Sequence, residues 1–285
     1  MHKNLICLDI AGVTFAVQLP APAWRPALAG RYAAFPGPSR AAWQVTVTHD
    51  PALAVVDSAW IRHDGPVTTY RVSDLAGRID LEARRADVRI PSEARTASAL
   101  ERVIAYVCMQ VLPREHAALW LHAAGIVRDG VGHVFFGASG AGKTTVAGLA
   151  AGYGQVLSDE NVVVRLAASG PELLSTPFWG QSTPPALICR VNRRAPLRAL
   201  YALAQAPAFD LARLGPAEAV MALLGTEKVA TERAASADAR LAVAARLVAH
   251  VSVYRLGFRP DRDLWDFLAR AAPASDRPGR GPAEM

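Results

Sequence analysis

The sequence predicts an α/β (α+β) protein with a small, mostly-β lobe over residues 1–91, an α/β domain over 92–272 and a disordered tail over 273–285. Three observations carry this. Apolar residues alternate with period two through the first third of the chain, a helix-period stretch follows, and behind it an apolar run feeds a glycine-rich loop. At 285 residues, 52% hydrophobic and 20% charged, the chain has the composition of an ordered globular protein of about two domains.

Within the lobe, Ile6, Leu8 and Ile10 share one face, and Val13, Phe15, Val17 and Leu19 continue beyond a turn at Gly12, which is a hairpin signature. Trp43-Val45-Val47, Thr68-Tyr70-Val72 and Ile79-Leu81 facing Val88-Ile90 across Arg84 to Asp87 add short strands. Pro20 to Pro38, rich in Pro, Ala and Gly, reads as loop with a short helix. Leu100, Val103, Ile104, Val107, Val111 and Leu112 follow helical spacing, so a helix of about four turns should run to Pro113 and stop there.

Leu119 to Val127 and Gly132 to Phe136 are expected as two strands about the turn Arg128-Asp129-Gly130, because Asp-Gly favours a tight hairpin. The second strand delivers Gly137-Ala138-Ser139-Gly140-Ala141-Gly142-Lys143-Thr144-Thr145, a complete G-x-x-x-x-G-K-[ST] loop, and Val146 to Ala151 can open the helix behind it. Glycines let successive N–H groups converge on an anion, and the helix start adds partial positive charge. Lys143 would reach the β/γ-phosphates and the Thr144 hydroxyl a Mg²⁺, so ATP and Mg²⁺ are the expected cofactors.

After the loop helix, Gln155-Val156-Leu157 and Val162-Val163-Val164 bracket Ser158-Asp159-Glu160-Asn161, which puts acidic groups at the edge where α/β proteins collect ligands. Further on, Thr176 to Gly180 is turn-rich, Ala199 to Ala204 a strand, Pro216 to Leu224 a helix, Val248 to Leu256 a strand and Asp263 to Ala271 an amphipathic helix. His122 and Asp159 each stand beside a strand expected to neighbour the loop strand, so both can converge on the γ-phosphate. A carboxylate there can accept a hydroxyl proton while an imidazole orients it, which makes Asp159, His122 and Lys143 the expected catalytic residues. Glu160 joins Thr144 as an expected metal ligand. Arg190, Arg193 and Arg194 fit either a solvated loop or a clamp on phosphate or an acidic peptide, and Phe178-Trp179 either core or cleft lining. Asp261, Asp263 and Asp266 mark a helix start and its exposed face.

Composition excludes several classes. The charge of +6 is almost all arginine, with Lys3, Lys143 and Lys228 the only lysines, and it is scattered, so no nucleic-acid partner is expected. Cys7, Cys108 and Cys189 lack disulfide or zinc spacing and read as buried apolar residues in a reducing compartment. Without a secretory start or an apolar run of about 18 residues, a cytoplasmic protein with no membrane contact is expected.

Leu121-His122-Ala123-Ala124-Gly125-Ile126-Val127, then the glycine loop, then Val156-Leu157-Ser158-Asp159-Glu160 resembles the core of HPr kinase/phosphorylase and related serine kinases. The Phe135-Phe136-Gly137 approach to the loop is also similar to phosphoenolpyruvate carboxykinase, which has the same nucleotide-binding fold. The likeness spans roughly residues 119–165. It implies a PEP-carboxykinase-like P-loop domain, with Asp159 as the aspartate that activates the substrate serine, His122 as its support, Lys143 on the γ-phosphate and Thr144 on magnesium. In the carboxykinases the residues matching His122 and Asp159 help to hold a second metal.

Two departures shape the expectation: Thr145 replaces the acidic residue that ends the HPr kinase loop, and the Arg-Gly-x-Gly segment linked to dephosphorylation is missing after Glu160. The resemblance therefore implies an ATP-dependent serine kinase without phosphorylase activity, acting on a protein or peptide such as a natural-product precursor peptide. It allows for a homo-oligomer, since HPr kinases form rings. A small-molecule kinase, or an ATPase or regulatory module using Leu157-Ser158-Asp159-Glu160 as a Walker B element, are the alternatives.

Overall fold

A computed structural model describes residues 4–226 and 237–271; the tail expected over 273–285 lies outside them. Strands β1 (Leu5–Ile10) and β2 (Val13–Gln18) form the expected hairpin, and α1 (Pro26–Tyr32) is the short helix within the Pro/Ala-rich segment. Strands β3 (Trp43–His49), β4 (Trp60–Asp64), β5 (Val67–Val72), β6 (Leu75–Asp80) and β7 (Arg85–Ile90) complete a mixed seven-stranded sheet in the order β1-β2-β3-β7-β6-β5-β4. Trp43, Val45 and Val47 turn inward while their neighbours are exposed, as alternation demands. β4 has no alternation to betray it, because all five of its residues are exposed on the sheet edge. The β6–β7 register also differs from the expected one: Ile79 lies opposite Ala86, and Val88 opposite Gly77. Arg84, at φ 52°, completes a turn that starts the return strand earlier than the apolar pattern suggested.

Helix α2 (Thr96–Glu115) follows and runs through Pro113 instead of stopping there. A proline in the last turn removes one amide only, and the His116 amide still reaches the Leu112 carbonyl. Leu100, Val103, Ile104 and Val107 share one buried cluster with Phe15, Trp43 and Val88 of the lobe and with Trp120, Val163 and Phe178 from beyond the helix. The β lobe and the remainder are thus joined through α2.

The second sheet holds β8 (Ala118–Leu121), β9 (Ala123–Arg128), β10 (Val131–Phe136), β11 (Gln155–Ser158), β12 (Val162–Ala167), β13 (Gly170–Leu174), β14 (Arg194–Gln205), β15 (Asp210–Arg213) and β16 (Ser252–Phe258). Its helices are α3 (Lys143–Leu149), α4 (Pro216–Leu224), α5 (Ala237–His250) and α6 (Leu264–Ala271). The path is β11-β9-β10-β14-β13-β12-β8, with β16 beside β14 and β15 on β16. Because β10, β14 and β16 are parallel, their carboxyl ends share one edge.

Four expectations are corrected here. Leu119 to Val127 is two strands broken at His122, since β8 pairs with β12 while β9 turns to β10 and β11. β11 pairs with β9 and not with β10, so Asp159 follows a strand one place removed from the loop strand. Val248 belongs to α5, whose buried Val243 and Leu247 continue in helical phase to Val251, and β16 starts only at Ser252. β14 begins at Arg194 because its first residues pair with β13 before it reaches β10 and β16.

Candidate active site

Asp129 and Gly130, at φ 51° and 79°, form the two-residue turn that sets the β9–β10 register. Pairing ends with Ala123 opposite Phe136, so His122 and Gly137 are the next residues outward and leave the ladder side by side. On the other flank of β9, Ser158 lies opposite Gly125, which carries Asp159 and Glu160 to the same edge. The Glu160 carbonyl there accepts from the Ala123 amide at 3.1 Å and from His122 Nδ1 at 2.7 Å. With Nδ1 donating to that carbonyl, a neutral His122 keeps Nε2 as its acceptor nitrogen. The Glu160 carboxylate stands 3.5 Å from Nδ1.

The glycine loop is pressed against the ends of β14 and β16. Gly142, at φ 108°, has no room for a side chain, since a Cβ would fall 2.8 Å from the Phe258 ring. At Gly137 (φ 155°) a Cβ would lie 3.1 Å from the Leu203 carbonyl. Gln205 Nε2 donates to the Gly140 carbonyl at 2.9 Å. Lys143 is buried and folded into the loop, donating to the carbonyls of Gly137 and Ala138 at 2.9 and 3.0 Å. Thr144 is half-buried and Thr145 exposed.

Ser158 builds the bend after β11: its hydroxyl donates to the Phe178 carbonyl at 2.7 Å and accepts the amides of Glu160 and Asn161 at 3.0 Å each. The bend gives the two adjacent carboxylates different surroundings. Asp159 is 1% exposed, and its oxygens accept the Thr183 hydroxyl at 2.6 and 2.8 Å and the Gly180 amide at 3.1 Å. Glu160 instead lines, with His122 and Asn161, a cavity of about 760 Å³. The rest of its lining comes from α1, α2, β4, β5, β6, Trp120 and the segment from Trp179 to Arg190, and none of residues 137–145 lines it.

The structure therefore gathers His122, Asp159, Glu160 and the start of the glycine loop at one edge, with Asp159 sealed behind the Gly180–Thr183 segment. Phe178 is core, against Tyr32 and Trp120, whereas Trp179 forms cavity wall. Arg190 lines the cavity, Arg193 bonds Gln155, and Arg194 is exposed on β14. Asp261 accepts the Asp263 amide at 3.1 Å ahead of α6. Contrary to expectation, of the three cysteines only Cys108 is buried; Cys7 is half-buried and Cys189 exposed. Thr183, Arg31, Glu101 and Arg102 were not singled out in the sequence, and no local pattern marks them. Among the described residues no group of three or more His, Cys, Asp or Glu could hold a metal by itself, and no helix is long and apolar enough to cross a membrane.

No curated protein matches the chain. One family does, over more than half its length: by this match to residues 92–269, the chain belongs to the SynChlorMet cassette protein ScmC family.

Proposed function

We propose that this protein is an ATP-dependent kinase of the HPr-kinase-related type, built on a PEP-carboxykinase-like P-loop domain, that phosphorylates a serine of a protein or peptide. The observation that carries the reading is the β9–β10 register, which sets His122 beside Gly137 at the mouth of a complete phosphate-loop sequence, with Asp159 and Glu160 at the same edge. Parallel strands β10, β14 and β16 ending there are the arrangement in which α/β folds bind ligands.

The residues fit a nucleotide. Gly137 and Gly142 are closed on the protein side by Leu203 and Phe258, while a Cβ at Gly140 would meet nothing within 4 Å, so the loop is open outward. Lys143 is already held in the loop by two carbonyls that a triphosphate can replace as its partners. ATP with Mg²⁺ supplies the transferable phosphoryl group and compensates its charge. An ion borne mainly by phosphates needs only one or two protein oxygens, which Thr144 and Glu160 would provide.

Asp159 is the proposed base. Its oxygens now take the Thr183 hydroxyl, the same contact an acceptor serine would make, so the Gly180–Thr183 segment must withdraw for Asp159 to receive the proton. His122, fixed through Nδ1, keeps Nε2 for the reacting groups. One observation favours a second reading: Glu160 already faces the cavity beside His122 and can act as base without that movement.

Calorimetry with ATP and GTP, with and without Mg²⁺, tests the binding claim, and transfer from labelled ATP to serine peptides tests the reaction. Lys143→Ala should lower transfer by at least about 10²–10³-fold with the fold retained, since it removes a charge contact made in the transition state. Absence of nucleotide affinity, or normal turnover in a folded Lys143→Ala variant, refutes the reading. Robust ATP hydrolysis without an acceptor would move it to the ATPase class.

A further inference from the structure

The cavity beyond His122 has a mixed lining. Val72, Ile79 and Met109 contribute apolar surface to it, while Arg31, Arg102 and Arg190 line it as cations. Arg31 is neutralised by Glu101 at 2.6 Å. The other two have no such partner: Arg190 donates Nε to the Pro177 carbonyl at 3.2 Å, and among the described residues no carboxylate pairs with Arg190 or Arg102. Burial, and next the like charge of Arg31, depress the Arg190 pKa, and the nearby Glu101 offsets part of that repulsion. A half-buried cation without an ion pair is unfavourable unless an anion meets it. That anion is not the nucleotide's triphosphate, because no residue of the glycine loop lines the cavity.

The volume of about 760 Å³ suits a short peptide segment; ligand pockets run from about 300 to 1,000 Å³. His122 and Glu160 are part of its lining, and an acceptor hydroxyl is required beside them. We propose that this cavity is the acceptor site and selects a serine peptide that carries a carboxylate close to the serine and an apolar residue beyond it, the carboxylate held by Arg190. The acceptor role rests on the kinase reading; the carboxylate preference rests on the cavity alone. A carboxylate of this kind has two sources, an acidic side chain or a free chain end.

Trp120 and Trp179 line the cavity, so peptide binding can be followed by tryptophan fluorescence without nucleotide. Four blocked tetrapeptides are titrated: Leu-Glu-Ser-Leu amide, its Gln and Lys analogues as amides, and the Gln analogue with a free terminal carboxylate. At least one carboxylate peptide should bind about tenfold or more tighter than the Gln amide, and the Lys amide weakest. Which of the two gains identifies the source. Arg190→Gln, in the cavity wall, should cost the favoured peptide about tenfold in affinity while ATP affinity by calorimetry stays the same. Equal affinity for all four peptides, or no loss in a folded Arg190→Gln variant, overturns the proposal. Normal ATP binding with no carboxylate preference defeats this inference alone; carboxylate-selective binding without ATP affinity defeats the kinase reading and leaves the site.

Discussion

The glycine loop and the cavity meet at His122 but are made in opposite ways. The loop takes its form from consecutive residues 137–145 and is held through backbone: positive φ at Gly137, Gly140 and Gly142, carbonyls on Lys143, and the ends of β14 and β16 against it. The cavity takes its form from side chains of α1, α2, β5, β6 and the segments at 160, 179 and 190, which are far apart in sequence. A backbone-built element tolerates little at its glycines, whereas a side-chain-built one changes what it binds when a charge is removed. Four substitutions test this difference.

The largest effect is expected at the boundary between the two. Asp159→Asn should reduce phosphoryl transfer by about 10²–10⁴-fold with nucleotide Kd little changed, because the shape is kept and the proton acceptor lost. Single-turnover assays beside Glu160→Gln decide between neighbours in unlike environments. A larger loss in Glu160→Gln would transfer the base to the cavity wall. If Asp159→Asn instead weakened Mg²⁺-nucleotide binding in step with activity, Asp159 would belong to a metal site.

Next comes Gly142→Ala. At φ 108°, with Phe258 2.8 Å from the new Cβ, the residue combines backbone strain with overlap and should cost about 1–3 kcal/mol in denaturant unfolding, together with most of the nucleotide affinity. A variant with wild-type stability would show the loop to be more pliable than its contacts suggest. Thr183→Val removes the hydroxyl from a buried carboxylate and should cost about 1–3 kcal/mol by the same measurement. A gain in turnover at unchanged nucleotide affinity would favour Asp159 as the base that Thr183 covers.

The smallest effect lies beneath the loop. His133 on β10 is buried between Tyr201 and Trp265; burial first, then Arg198 and Arg128, hold its pKa down to about 3. The folded protein therefore keeps it neutral at pH values where the unfolded chain, titrating near 6.5, takes up a proton. Its stability is complete above about pH 6.5 and falls as pH drops toward 3, by up to about 1.4 kcal/mol per unit. His133→Phe should flatten this slope between about pH 7 and 5 in urea titrations. An unchanged slope would mean that the acid sensitivity arises elsewhere.

Legibility followed the same division. The hairpins at Gly12 and Gly130, the outward-inward alternation of β3, α4, α6 and the strand–loop–helix around Lys143 were readable because each is fixed by residues within a few positions of one another. The break at His122 was not, since it reflects two halves of one apolar run pairing with different strands. The length of β14 and the start of β16 depended likewise on partners that local pattern does not name. β4 gave no signal, having no buried face.

The mixed α/β class, the hairpins at Gly12 and Gly130 and the strand–loop–helix around Lys143 follow from local sequence, because turn chemistry, hydrophobic period and glycine freedom act over short stretches of chain. Only the tertiary structure seals Asp159 behind Thr183 while Glu160 faces a cavity, and brings Arg31, Arg102 and Arg190 into the lining of that cavity. Local sequence says nothing of the surroundings of these two adjacent carboxylates, which come from the bend at Ser158 and from segments brought close only when strands of distant sequence pair.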